Sequence, residues 1–285
     1  VMDFIDLHVH SSCSDGTLSP AQVTSLAAQK GLRAIALTDH DTVSGISEAL
    51  EAGKKLGVEI IPGIEFSTSC QNRDVHIVGL HINPCDAYFL EALKEFQSSR
   101  DRRNEKIIGL LQQAGISVSW KAMADAFPDC VWTRAHFARY LMEHGYVSSV
   151  REAFPRYLGD HAPCFVPREK VTPWQAIELI HQSGGIAVLA HPLLYGLGQE
   201  QLRLLFSRLR KAGLDGVEVF YSSNSREEER LSRQLARDYD LVPSGGSDFH
   251  GDNKPEISLG TGRGNLRIPY SVLEQLRERR PIFSA

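Results

Sequence analysis

The side chains able to do chemistry in this chain are histidines and carboxylates, and they are scattered: His8, His10 and Asp15; Asp39, His40 and Asp41; Glu65; His76; His191; Asp248 and His250. In His8-Val9-His10 an extended backbone turns both imidazoles to the same side, because strand side chains alternate with period two. That is a chelating geometry. A single His-x-His is weak evidence, since core and surface histidines are common, but Asp248 with His250 repeats the spacing and further ligand types join them. Mixed imidazole and carboxylate ligands suit Mn²⁺, Fe²⁺ or Zn²⁺, and the lack of a clustered thiolate set argues against a structural zinc finger. The ligands outnumber what one ion can use, so on the order of two or three divalent ions are implied.

Residues this far apart must be brought together by the fold. Short aliphatic runs at 4–7, 34–37, 59–62, 75–80, 186–190, 216–220 and 241–244 alternate with helical periodicity, which predicts βα units and a largely parallel sheet or barrel. The candidate ligands fall at the C-terminal ends of these runs, with Glu65 just past the third and His76 inside the fourth. In a barrel those ends converge on one face. Ser19 as N-cap, Pro20 at the first helical position and Gly31 beyond the end punctuate the first helix, and Thr172-Pro173 with Gly184-Gly185 repeat the pattern. Between 88 and 165 only helical periodicity remains, at 90–115, 121–127, 134–145 and 148–158. The expected organisation is a barrel in two parts, 1–87 and 166–285, with a helical subdomain inserted at 88–165.

With 285 residues, 42% hydrophobic and 23% charged, the chain can bury a sizeable core. A net charge of −4 gives no coat for duplex DNA or an anionic membrane. No apolar stretch reaches the roughly 20 residues of a membrane span, and Val1-Met2-Asp3-Phe4 lacks a basic leader, so a cytoplasmic protein is expected. The five cysteines form no CxxC pair and read as reduced thiols; Cys13 lies in the loop between His10 and Asp15.

As an ordered set, Asp6-Leu7-His8-Val9-His10-Ser11 with Ser14-Asp15-Gly16, Thr38-Asp39-His40-Asp41, Pro62-Gly63-Ile64-Glu65, His76-Ile77-Val78-Gly79-Leu80, Ala190-His191-Pro192 and Gly246-Ser247-Asp248-Phe249-His250 resembles the PHP (polymerase and histidinol phosphatase) family. The resemblance spans about residues 3–251. It implies a distorted seven-stranded β/α barrel and three metal sites. His8, His10, Glu65 and Asp248 would hold one ion; Glu65, bridging, with His76 and His191 a second; Asp15, His40 and His250 a third. Asp39 and Asp41 would orient ligands or cap the next helix.

Within the family, the helical insert, Thr133-Arg134-Ala135-His136-Phe137-Ala138-Arg139, Arg156-Tyr157-Leu158 and Phe165-Val166-Pro167 are similar to the 3′,5′-nucleoside bisphosphate phosphatase and ribonuclease AM subgroup. That similarity implies a manganese-dependent phosphoesterase acting on the 3′-phosphate of bisphosphates such as pAp and on short 5′-phosphorylated RNA in the 5′-to-3′ direction, by attack of a metal-bridging hydroxide. One departure is visible: the subgroup carries Pro-Gly-Arg-Tyr where this chain has Pro192-Leu193-Leu194-Tyr195.

For the substrate, Arg134 falls in the first turn of a helix behind Thr133, where guanidinium and free amides can both face an anion. His136 and Arg139 share its face, and His136 is the expected proton donor to the leaving oxygen. Arg168 and Lys170, and Ser223 and Asn224 after the sixth strand, are further expected contacts, while Glu218 reads as structural. The competing readings are a histidinol-phosphate or other small phosphomonoester phosphatase, an amidohydrolase, and a non-catalytic metal- or nucleotide-binding module. The insert weighs against the first, Glu65 with Asp248-Phe249-His250 against the second, and the complete ligand set against the third.

Overall fold

The computed structural model describes residues 3–71, 73–167 and 171–279; the expected contacts Arg168 and Lys170 lie outside them. Eight strands form one sheet in the order β7-β6-β5-β4-β3-β2-β1-β8. They are β1 (Phe4–Val9), β2 (Leu32–Leu37), β3 (Glu59–Cys70), β4 (Arg73–Leu80), β5 (Ile186–Leu189), β6 (Gly216–Tyr221), β7 (Val242–Gly246) and β8 (Ile268–Pro269). The seven expected strands are all present. The two-residue β8, antiparallel to β1, has no counterpart in the expectation. Just beyond β7 the chain pairs with the end of β1, through Asp248 N–H to His8 O at 2.9 Å and His10 N–H to Phe249 O at 3.0 Å, and this draws the sheet into a barrel.

Two features of the sheet differ from a simple βα reading. First, β4 runs antiparallel to both β3 and β5. His76 therefore lies near the start of a reversed strand, which is the same barrel end that its neighbours reach with their C-termini. Second, β3 continues for 12 residues, pairing with β2 over 59–62 and with β4 over 63–70, so Glu65 sits inside a strand rather than after one.

The barrel interior is layered. Ile5, Leu7, Ala34, Ala36, Ile61, Leu80, Ile186 and Val188 fill its lower part. Helix α10 (Ser271–Arg279) closes that end with Val272, Leu273 and Leu276. The alternate residues Ile35, Ile60, Ile77 and Val217 face outward under helices α1 (Pro20–Gln29), α2 (Ile46–Leu56), α7 (Pro173–Gln182), α8 (Gln199–Lys211) and α9 (Arg226–Asp238). On β1 the register is irregular between Asp6 and Val9. Ile5 and Leu7 belong to the interior and Val9 to the outer cluster, so the alternation inverts there and leaves His8 and His10 facing inward.

Helices α3 (Ala87–Gln113), α4 (Trp120–Ala126), α5 (Arg134–Glu143) and α6 (Val150–Ala153), with a π-helical turn at Phe154–Leu158, occupy the helical stretch. Met123, Phe137, Leu141 and Leu158 form its own apolar cluster with Ile107 and Leu111 of α3. The first turns of α3 instead contribute Phe89, Leu93 and Phe96 to the barrel's outer core. One 27-residue helix thus serves both cores. No helix among the described residues is long and apolar enough to cross a membrane.

Midway along α3, Arg100 is 2% exposed and its Nε and Nη2 donate to Asp41 Oδ2 at 2.9 and 2.6 Å. Nη2 also reaches Ser67 Oγ at 2.7 Å. Removing one partner of a buried ion pair takes away charge compensation that burial makes costly to lose. Arg100→Met is therefore expected to cost roughly 3–5 kcal/mol, read as a lower urea midpoint at unchanged m-value. A loss under about 1 kcal/mol would mean the pair is not a latch between helix and barrel.

Candidate active site

At the barrel end where β4 begins and its neighbours finish, the scattered ligand types meet. Glu65, 1% exposed, is the hub. Its Oε1 lies 2.8 Å from His76 Nδ1 and 3.0 Å from His191 Nε2; its Oε2 lies 3.1 Å from His10 Nε2, 3.2 Å from His8 Nε2 and 3.3 Å from His40 Nδ1. Asp248 Oδ1 faces His10, His8 and His250 at 3.3, 3.4 and 3.5 Å. Asp15 faces His250 Nε2 at 3.2 Å and His40 Nε2 at 3.7 Å. All nine expected ligand residues are in this cluster. Three sets among the described residues have ligand atoms within 4.8 Å of one another: His8, His10, Glu65 and Asp248; His10, Asp15, His40 and His250; and His40, Glu65 and His76.

The donor chemistry fits divalent cations. His8 Nδ1 donates to Glu218 Oε1 at 2.6 Å, so a neutral His8 presents the lone pair of its Nε2. That nitrogen is 3.1 Å from His10 Nε2, with Glu65 and Asp248 oxygens beside both. Facing lone pairs and buried carboxylates need positive charge between them. Burial pushes the carboxyls of Glu65, Asp15 and Asp248 up, and positive charge on the surrounding imidazoles, with Lys254 foremost for Asp248, outweighs it and holds all three well below the usual range; where the imidazoles act as neutral ligands, divalent cations would supply that charge instead.

Other side chains fix this cluster from behind. Glu218 orients His8 through Oε1 and accepts the His191 N–H through Oε2 at 2.8 Å. Asp39 accepts Ser11 N–H at 2.8 Å and Ser14 Oγ–H at 2.6 Å, and Ser14 Oγ stands 3.4 Å from His10 Nδ1. Asp41 acts through Arg100 and Ser67, whose hydroxyl is 3.1 Å from His40 Nδ1. Asp41, His191 and Asp248 take positive φ values of 50°, 28° and 57°. Such conformations in non-glycine residues cost about 1–3 kcal/mol each and persist where the surroundings over-determine them.

The cluster opens into a cavity of about 1720 Å³. Arg134 and Arg139 line one wall from α5, and Lys254 and Arg263 line it from the segment after His250. Arg134 is anchored to Asp74 at 2.7 Å and Asp160 at 3.3 Å; Arg139 pairs with Glu143 at 2.7 Å and is 41% exposed. Three expectations are corrected. His136 does not face the cavity: its Nδ1 accepts the Thr133 N–H at 3.0 Å as the third residue of a capping box, while Nε2 turns to Cys130 Sγ at 3.6 Å. Burial lowers its pKa to about 4. Ser223 and Asn224 do not line the cavity either; Ser223 is exposed and Asn224 Nδ2 turns back to Val219 O at 3.2 Å. Of β6, Tyr221 lines the cavity, and its hydroxyl donates to Asp248 Oδ2 at 2.7 Å.

Glu218, Ser67, Arg100 and Lys254 were not among the expected site residues. For Glu218 a signal existed: a carboxylate flanked by Val217 and Val219 in a central strand faces the interior and needs a buried partner. For Arg100 and Lys254 the sequence carried none, because their partners lie 59 and 6 positions away across loops.

Residues 6–157 match the family model described as PHP domain. The chain is 40% identical to a 5′-3′ exoribonuclease of Haemophilus influenzae, over 86% of this chain and 89% of the relative. It is 36% identical to a 3′,5′-nucleoside bisphosphate phosphatase of Chromobacterium violaceum, over 90% of each. A solved structure described as an amidohydrolase from Chromobacterium violaceum, with bound sulfate and no metal, superposes with a TM-score of 0.85 at 33% identity, over 97% of this chain and 98% of that one.

The capping role of His136 has a pH consequence. Its folded-state pKa of about 4 lies below the ordinary value of 6.5, so the unfolded chain takes up the proton first. The stability that this group contributes is present above about pH 6.5 and is lost as pH falls toward 4. Gln at the same place keeps a capping box without titrating. His136→Gln should therefore shrink the difference in unfolding free energy between about pH 7.5 and pH 5 by about 2 kcal/mol. An unchanged difference would show that His136 is not buried neutral.

Proposed function

The chain belongs to the PHP domain family, and from that premise we propose that it is a metal-dependent phosphoesterase removing the 3′-phosphate of 3′,5′-nucleoside bisphosphates and trimming short 5′-phosphorylated RNA from its 5′ end. The observation that carries the reading is the Glu65-centred cluster at the floor of a cavity whose walls bear arginines. The cavity exceeds the roughly 300–1,000 Å³ of ordinary small-ligand pockets, which favours a nucleotide or oligonucleotide end over a small phosphomonoester such as histidinol phosphate.

His8, His10, Glu65 and Asp248, the group of Glu65, His76 and His191, and Asp15 with His40 and His250 would hold the ions, with Mn²⁺ preferred and Fe²⁺ or Zn²⁺ as alternatives. Divalent cations there supply Lewis-acid charge to a phosphoryl group and lower the pKa of a nearby water. The chain's own residues do the rest. Thr133 Oγ–H donates to Asp15 Oδ2 at 2.8 Å, which ties the N-terminus of α5 to the centre. Asp74 holds the Arg134 guanidinium at the cavity wall, where its remaining donors suit a phosphate. Arg139, 41% exposed and paired with Glu143 at 2.7 Å, stands farther along the same wall, where a second phosphate would compete with that exposed carboxylate for it. Leu194, 56% exposed, presents an apolar side chain to the cavity where the subgroup has arginine. It suits a sugar or base rather than a phosphate.

Two outcomes are expected. Protein stripped with chelator and reloaded with Mn²⁺ releases inorganic phosphate from adenosine 3′,5′-bisphosphate and mononucleotides from short 5′-phosphorylated RNA. His10→Asn or Asp248→Asn lowers kcat/KM by more than about a hundredfold. Inactivity on both substrates with Mn²⁺, Fe²⁺ and Zn²⁺ would sink the proposal. In the same assay His136→Gln stays far from the roughly hundredfold loss that removing a general acid brings.

A further inference from the structure

Lys254 belongs to none of the sequence motifs, yet its Nζ lies 2.6 Å from Asp248 Oδ2. The Tyr221 hydroxyl donates to the same oxygen at 2.7 Å. Asp248 Oδ1 is the oxygen that faces His8, His10 and His250. The carboxylate is thus divided: one oxygen is committed to two protein donors, and the other is left for the centre.

The position of Lys254 is built rather than incidental. Its N–H donates to Gly251 O at 3.1 Å, and its carbonyl accepts from Ile257 N–H at 2.9 Å. The turn that carries it is tied to the first loop by Asp252 N–H to Thr17 Oγ1 at 2.9 Å and Asn253 Nδ2 to Asp15 O at 2.7 Å. Gly251 has φ 62°, and a Cβ there would meet Thr17 Oγ1 at 2.1 Å, so the close approach requires glycine. An ammonium has three donors. With one directed at Asp248, the side chain is still 38% exposed and lines the cavity beside the cluster.

We propose that Lys254 is a further catalytic residue, held by Asp248 so that its remaining N–H groups donate to the phosphoryl oxygens of a substrate bound at the centre and offset the charge that builds there. No proton is transferred; the ammonium acts as a fixed positive charge beside the reacting phosphorus. The inference rests on the phosphoesterase reading. It adds a cation supplied by the loop after His250 to those supplied by the insert.

The test compares Lys254→Met, Lys254→Arg and Tyr221→Phe with the wild type for kcat, KM, inhibition by inorganic phosphate and metal bound per chain. Lys254→Met should lower kcat by about a hundredfold with metal content unchanged and should weaken inhibition by phosphate. Lys254→Arg should recover much of the rate. Tyr221→Phe, which removes a donor from Asp248 but keeps the ammonium, should lose less than Lys254→Met. The proposal is overturned if Lys254→Met keeps a kcat within a few-fold of wild type. It is equally overturned if the loss follows metal release and matches Tyr221→Phe, since Lys254 would then only prop Asp248. A wild type silent on bisphosphates and RNA would overturn the underlying reading as well, which an active wild type with an unimpaired Lys254→Met would not.

Discussion

A carboxylate 1% exposed, with five imidazoles 2.8–3.3 Å from its two oxygens, is the interaction on which the rest of this molecule depends. Burying an ionised group is expensive unless it is paired and hydrogen-bonded. The partners of Glu65 come from β1 and the residue just after it, from the chain after β2, from β4 and from the chain after β5. A barrel is the arrangement that lets these segments end at one point. The reversal of β4 and the register irregularity in β1 make sense in that light, because each turns a histidine toward Glu65 that would otherwise face elsewhere.

The helical region is coupled to this centre at three places around the cavity. Arg100 of α3 pairs with Asp41, Thr133 at the N-terminus of α5 donates to Asp15, and Arg134 pairs with Asp74 at the start of β4. Movement of these helices would therefore disturb residues that orient or belong to the cluster. Arg100 reaches Ser67, which in turn reaches His40, so the position of one imidazole is set in part from a helix outside the barrel. The cavity-lining arginines of α5 and the cluster at the barrel end are in this way held to one geometry.

Much of this was legible in the sequence because period-two alternation and strand-end placement are local signals. His8-x-His10 and Asp248-x-His250 could be read as same-side pairs, and the seven main strands as alternating aliphatic runs. Strand direction is not a local property, so the place of His76 became intelligible only with β4 reversed. Glu65 could be identified as a ligand type, but the length of β3 beyond it depended on the hairpin partner β4. His136 misled because a histidine three residues after Thr133 fits a substrate contact and a capping box equally well, and the backbone donor won. Ser223 and Asn224 were expected from proximity to a strand end, while Tyr221, with the same parity as the outward-facing Val217, reaches Asp248 past a register shift between Glu218 and Phe220 that no local pattern announces.

The most direct test of the central claim is anomalous diffraction from crystals grown with Mn²⁺, recorded at the manganese edge for wild type and Glu65→Gln. The account predicts more than one peak inside the cluster for the wild type, with Glu65 bridging ions held by His8, His10 and Asp248 on one side and by His76 and His191 on the other. It also predicts weakened or missing peaks in Glu65→Gln. Full occupancy in Glu65→Gln, or manganese bound only outside the cluster, would contradict the claim that Glu65 organises the centre.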